Sequence, residues 1–75
     1  MYKTIVLELL EARPALHRHL RLHRVMLPEL ARYARDLRAA HKQSMDAGMD
    51  AGAAMEMAVA EIEERLDRET ARLEA

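Results

Sequence analysis

The sequence predicts an all-α fold. It takes the form of an antiparallel helical hairpin with a short N-terminal helix, dimerising into a four-helix-type bundle. Three observations lead there. Apolar side chains recur in alternating steps of four and three along two stretches: Leu16, Leu20, His23, Leu27, Leu30, Ala34, Leu37, His41, and then Met55, Val59, Ile62, Leu66, Glu69, Leu73. That spacing keeps one stripe of a helix turned toward a neighbour. The chain has no Phe, Trp or Cys and only two tyrosines, so its core must be built from Leu, Met, Ile, Val and Ala, residues that favour helix over sheet. Finally, 75 residues make a single domain spanning 1–75. A chain that short buries only about 60% of its unfolded surface. Without cysteines it has no disulfides to compensate, which leaves self-association or a metal.

The elements follow in order. Ile5, Val6, Leu9 and Leu10 share one helical face opposite Glu8 and Glu11, so a first helix is expected over about 4–12, with Thr4 as its N-cap. Thr4-Ile5-Val6 also reads as a short strand, but no second strand candidate exists to pair with it. Arg13-Pro14 marks a corner, because the residue before proline leaves the α region and proline suits the first turn of a helix. A second helix is expected over about 14–43. Beside its seam runs a further column, His19, Met26, Tyr33 and Ala40, while Arg18, Arg21, Arg24, Arg32, Arg35 and Arg38 take the other side. Pro28 can break this helix or kink it. The seam passes Pro28 without slipping, and Val25, Met26 and Leu27 are poor caps. One helix kinked at Pro28 is therefore the reading.

Ser44 to Gly52 holds a small tandem repeat, Met-Asp-Ala-Gly twice over. Glycine stops helices and aspartate starts them, so a turn is expected there, with Asp46 or Asp50 capping a last helix over about 50–73. The two halves carry opposite charge. Arg13 to Lys42 has eight basic and two acidic residues, and Asp46 to Ala75 has nine acidic and three basic. A hairpin lays the basic helix along the acidic one. It also brings His23 beside Glu69 and Thr70, as a buried polar layer that would fix register. Two wide apolar stripes leave half of each uncovered, so a second copy is the expected partner. The expected dimer and core residues are Leu16, Leu20, His23, Leu27, Leu30, Tyr33, Leu37, Met55, Val59, Ile62, Leu66 and Leu73.

The chemistry-bearing residues each have two readings. His19 and His23, four apart, project from one face and are the metal candidates, with a symmetry mate completing the shell; the competing reading is the polar layer just described. Arg18, Arg21, Arg32, Arg35 and Arg38 form a rib that could track phosphates of RNA or DNA. The acidic last helix and the net charge of −1 argue instead for a solvated face paired within the chain. The methionines near the hairpin tip read as packing filler before adaptable binding surface. No cysteine nucleophile, glycine elbow or glycine-rich phosphate loop is present. No catalytic residues and no cofactor are expected. The longest uncharged apolar run near the start, Thr4 to Leu7, is too short for an export or membrane segment, so the expectation is cytoplasmic, with no membrane partner.

Tyr2 to Leu10 (YKTIVLELL), then Arg13-Pro14, Leu27-Pro28, Tyr33-Ala34 and His41, form a pattern that resembles small bacterial helical proteins of unknown function. The resemblance covers roughly residues 2–41. The chain departs from it in the short stretch before the last helix, where those proteins carry a longer polar linker. What it implies is architecture alone. The residues themselves favour a non-catalytic interaction or regulatory module that self-associates through leucine-rich helix faces. A small dimeric nucleic-acid binder is the alternative, and a metal-binding bundle is a lesser one.

Overall fold

The structure, a computed structural model, describes all residues from Met1 to Ala75. It is built of four helices and no strand: α1 (Tyr2–Glu11), α2 (Pro14–Leu22), α3 (Met26–Asp46) and α4 (Ala51–Glu74). Helices α3 and α4 form the expected hairpin, with α1 lying on α3 and α2 reaching both α4 and α3. The molecule measures 40 × 23 × 15 Å. Its surface of 5091 Å² exceeds the roughly 4,700 Å² expected of a compact monomer of 8.6 kDa, as a flattened shape requires.

The first helix starts two residues earlier than expected. Met1 is its N-cap position and no side chain caps it, so Thr4 lies within the helix. The corner at Arg13 forms as expected: Arg13 is extended at φ −124° and ψ 75°, and Pro14 opens α2. Proline there sacrifices no intrahelical bond.

The larger correction concerns Pro28. The expected kinked helix over 14–43 is two helices, broken at His23–Val25. Arg24 takes a left-handed conformation with φ 59°. The Arg24 N–H donates to the Arg21 carbonyl at 3.1 Å and the Val25 N–H to the Leu20 carbonyl at 3.0 Å. These are the two crossed bonds of a Schellman C-cap. The physical cause lies four residues on. In an unbroken helix the Pro28 ring would press on the carbonyl of Arg24 and lack an N–H to give it. The turn swings that carbonyl away and leaves Pro28 as the third residue of α3, where N–H groups have no helical partner. Val25 caps α3 without a side-chain bond. Seam spacing alone missed the break because it conserves register on either side of a turn.

The same motif ends α3, this time with glycine. Gly48 has φ 97°, its N–H donates to the Met45 carbonyl at 2.9 Å, and the Met49 N–H donates to the Ser44 carbonyl at 3.1 Å. Asp50 then caps α4, its carboxylate accepting from the N–H groups of Gly52 and Ala53 at 3.1 and 3.4 Å. Of the two aspartates expected there, Asp50 is the cap. Asp46 pairs instead with Lys42 at 2.7 Å.

The core joins all four helices: Val6 and Leu10 of α1, Leu16 and Leu20 of α2, Tyr33, Ala34 and Leu37 of α3, and Ala58, Ile62 and Leu66 of α4. Leu30, Met55 and Val59 pack against it half-buried. Helices α1 and α2 thus cover part of the hairpin stripe that seemed to demand a second copy. Arg13 fastens this arrangement. Its guanidinium donates to Asp67 at 2.7 Å, to Glu63 at 3.3 Å and to the Leu9 carbonyl at 2.9 Å, tying the α1–α2 corner to α4. The bond to Asp67 holds its pKa above the ordinary arginine value despite opposing burial, with Glu63 adding to the rise.

Candidate interaction surface

The break at Arg24 decides what the surface offers. It ends α2 at Leu22 and restarts the chain at Met26, so Leu22, Val25 and Leu27 follow one another around an outer corner. Leu22 is 70% exposed and Leu27 77%. Covering either would take apolar area out of water. Leu73, 38% exposed near the end of α4, joins Leu22 on the wall of an open concavity of about 310 Å³, with Ala15, Arg18 and His19. The residues expected to carry association divide accordingly. Leu16, Leu20, Tyr33, Leu37, Ile62 and Leu66 are buried inside the chain's own core. Leu27 and Leu73 face solvent, and so does His23.

His23 is therefore not a core layer against Glu69. It closes the C-terminal end of α2, where its ring lies 4.2 Å from that of His19, centroid to centroid and tilted by 44°. The two imidazoles do share a face, as their spacing of four demands. No third His, Cys, Asp or Glu stands close enough to make a metal cluster with them.

His41, by contrast, is a structural polar group, 8% exposed. Its Nε2 lies 3.2 Å from the Ala51 carbonyl oxygen and its Nδ1 lies 3.1 Å from the Tyr2 hydroxyl. A carbonyl only accepts, which assigns the proton to Nε2 and makes the Tyr2 hydroxyl the donor to Nδ1. One side chain so links α1, α3 and the start of α4.

The arginine rib does not survive as a unit. The turn at 23–25 separates its two triplets onto different helices. Arg18, Arg21 and Arg24 are exposed around the leucine corner with no carboxylate within 4 Å, and Arg38 is likewise unpaired on α3. Arg35 reaches Asp36 only at 3.7 Å. With Lys3, Met1 and Tyr2 of the N-terminal segment, Arg35 and Arg38 line a shallow groove between α1 and α3. Arg32 turns inward. It bonds Glu29 at 2.6 Å, and that bond raises its pKa, burial opposing.

A second arginine group escaped the sequence reading. Arg32 and Arg65 lie over the ring of Tyr33, at 4.5 and 4.9 Å from its centroid, a favourable cation–π geometry. Arg65 also donates to Asp36 at 3.0 Å. Arg68 and Arg72 extend the group along α4, each near one exposed carboxylate, Glu64 at 3.9 Å and Glu69 at 3.3 Å. The signal was available: in an antiparallel hairpin the arginines late in α4 return beside the early part of α3.

No helix is long and apolar enough to cross a membrane. Comparison of the chain with protein-family models, with curated proteins and with solved structures finds no match in any of the three, so the functional reading rests on its own geometry.

Proposed function

We propose that the chain is a small non-catalytic interaction module that self-associates, and that the leucine corner of α2 and α3 is the contact. The observation that carries the reading is the exposure of Leu22 and Leu27, at 70% and 77%, the two most exposed leucines of the chain. A symmetric contact would bring this corner against itself. It would take four such leucines out of water, worth about 1–2 kcal/mol each at their present exposure. Val25 and Leu73 add smaller amounts. Association itself costs roughly 4–15 kcal/mol, as much as this gain or more, so the self-association is weak and shows only at high concentration. A standard interface of about 800 Å² per partner would take about one sixth of the 5091 Å² surface.

Sedimentation velocity across a concentration series up to millimolar tests this. A reversible dimer that Leu22→Lys with Leu27→Lys abolishes, without lowering Tm, is the expected result. A monomer at every concentration overturns it.

One observation favours a second reading, a small nucleic-acid binder. Lys3, Arg18, Arg21, Arg24 and Arg38 have no carboxylate within 4 Å, unlike the other arginines of the chain. A gel shift at low and moderate salt separates the readings, since phosphate contacts weaken steeply with salt.

A further inference from the structure

The largest concavity of the molecule, about 480 Å³, lies between α3 and α4 and is lined by Arg32, Tyr33, Arg65, Arg68, Glu69 and Arg72. We propose that it is a binding site for a phosphate group, of the kind carried by a phosphate monoester. The claim is independent of self-association and uses none of the leucine corner.

Three features point to an oxyanion. Four guanidiniums converge on the site and a single carboxylate lines it. Planar guanidinium forks match phosphate oxygens two at a time. Next, Tyr33 lines the concavity while only 4% exposed, and its ring seats the guanidiniums of Arg32 and Arg65 at 4.5 and 4.9 Å from the centroid. A buried ring is a rigid floor, and the cation–π contacts hold two of the four donors in place.

The ion pairs are also graded. Glu29 holds Arg32 at 2.6 Å and Asp36 holds Arg65 at 3.0 Å, fixing two guanidiniums against the ring. Arg68 and Arg72 have looser pairs, at 3.9 and 3.3 Å, and are mostly exposed. Exposed pairs of that kind are weak and readily exchanged. An arriving phosphate takes Arg68 and Arg72 from Glu64 and Glu69 and keeps the two fixed arginines as its floor. Counted with all four carboxylate partners the group is neutral, so the site selects by donor geometry, and a dianion with several oxygens uses it better than chloride.

The test is a ¹⁵N NMR titration with inorganic phosphate, against sodium chloride at matched ionic strength. Saturable shifts at Tyr33, Arg65, Arg68 and Arg72 support the site. So does weakening by about tenfold in the Arg68→Gln, Arg72→Gln double variant. Shifts that grow in proportion to phosphate and spread equally to Arg18, Arg21 and Arg38 overturn it, as do equal shifts with chloride. Competition by phosphoserine assigns a soluble monoester. Arg72-dependent binding to phosphatidic acid vesicles assigns a lipid headgroup. Either result upholds the phosphate site.

Discussion

Replacing Arg24 by glycine should stabilise the protein, and the sign of the effect distinguishes a broken helix from a kinked one. Arg24 sits at φ 59°, where a side chain with a Cβ costs roughly 1–2 kcal/mol. Glycine relieves that strain but adds freedom to the unfolded chain, a loss of about 0.4–1 kcal/mol. The side chain is exposed and makes no ion pair, so nothing else is forfeited. The net gain is about 0.5–1 kcal/mol, or roughly 2–8 °C in Tm for a domain of this size. Arg24→Ala keeps the strain and should change Tm little. Gly48→Ala, at φ 97° in the second copy of the motif, should lose about 1 kcal/mol with no steric clash to blame, since nothing lies within 4 Å of the added Cβ. The assay is thermal and urea unfolding followed by far-UV circular dichroism. If Arg24→Gly instead loses about 1 kcal/mol, as glycine does inside a helix, residues 14–43 form one continuous helix and the corner does not exist.

Other consequences follow from the same contacts. Arg13→Ala should cost about 1–2 kcal/mol, less than a buried charged bond, because Asp67 and Glu63 are partly exposed; urea unfolding would show it. The raised pKa of Arg13 means its contribution is complete below the ordinary arginine range and is lost only as pH rises through the raised value. The Arg13→Ala difference should therefore hold constant from about pH 6 to 9. Tyr2→Phe should cost about 0.5–1.5 kcal/mol, one hydrogen bond, and His41→Ala about twice that, because it also frees the Ala51 carbonyl. If the leucine corner pairs with itself, Arg18, Arg21 and Arg24 of two copies approach one another. Raising salt should then strengthen the dimer by screening, whereas an acidic partner would give the opposite trend. Zinc, if His19 and His23 are half of a shared site, should raise both Tm and the dimer fraction together; a Tm that does not move ends the metal reading.

Much of the architecture could be read from spacing. The hairpin, the Pro14 corner, the Asp50 cap and the apolar seams of α3 and α4 all follow from residue types whose preferences are local. What could not be read was decided by contacts between distant residues or by one backbone angle. Arginine at a left-handed position has no composition signal, since glycine is the expected residue there. The role of His41 depends on Tyr2, 39 residues away, and that of Arg13 on residues of α4 at separations of 50 and 54. Charge bookkeeping set a basic stretch against an acidic one, but at long range only Arg13 with Glu63 and Asp67 pairs that way, and the one ion pair between α3 and α4, Arg65 with Asp36, reverses it. It did not show that Arg65 stands on the same ring as Arg32, because that depends on hairpin register rather than on totals.

The broken helix also changes the argument about partners. A single kinked helix over 14–43 would carry its leucines on one uninterrupted seam, half uncovered by α4, and a second copy would be needed to bury them. With the turn at Arg24, α2 becomes an independent piece that folds back on α4 and α3, and the seam is satisfied within one chain. Nearest the turn, Leu27 and His23 leave that seam for solvent, and Leu22 is exposed beside them. Leu22 is the last residue of α2 and Leu27 the second of α3, so both stand beside the turn, off the buried faces of their helices. The turn at His23–Val25 sets how the apolar residues of this corner stand, and the conformation of Arg24 controls its geometry. Arg24→Gly should preserve that geometry, whereas Pro28→Ala removes the reason for the turn. If Pro28→Ala joins α2 and α3, the leucine seam is re-exposed, and stronger self-association with higher helix content should appear together.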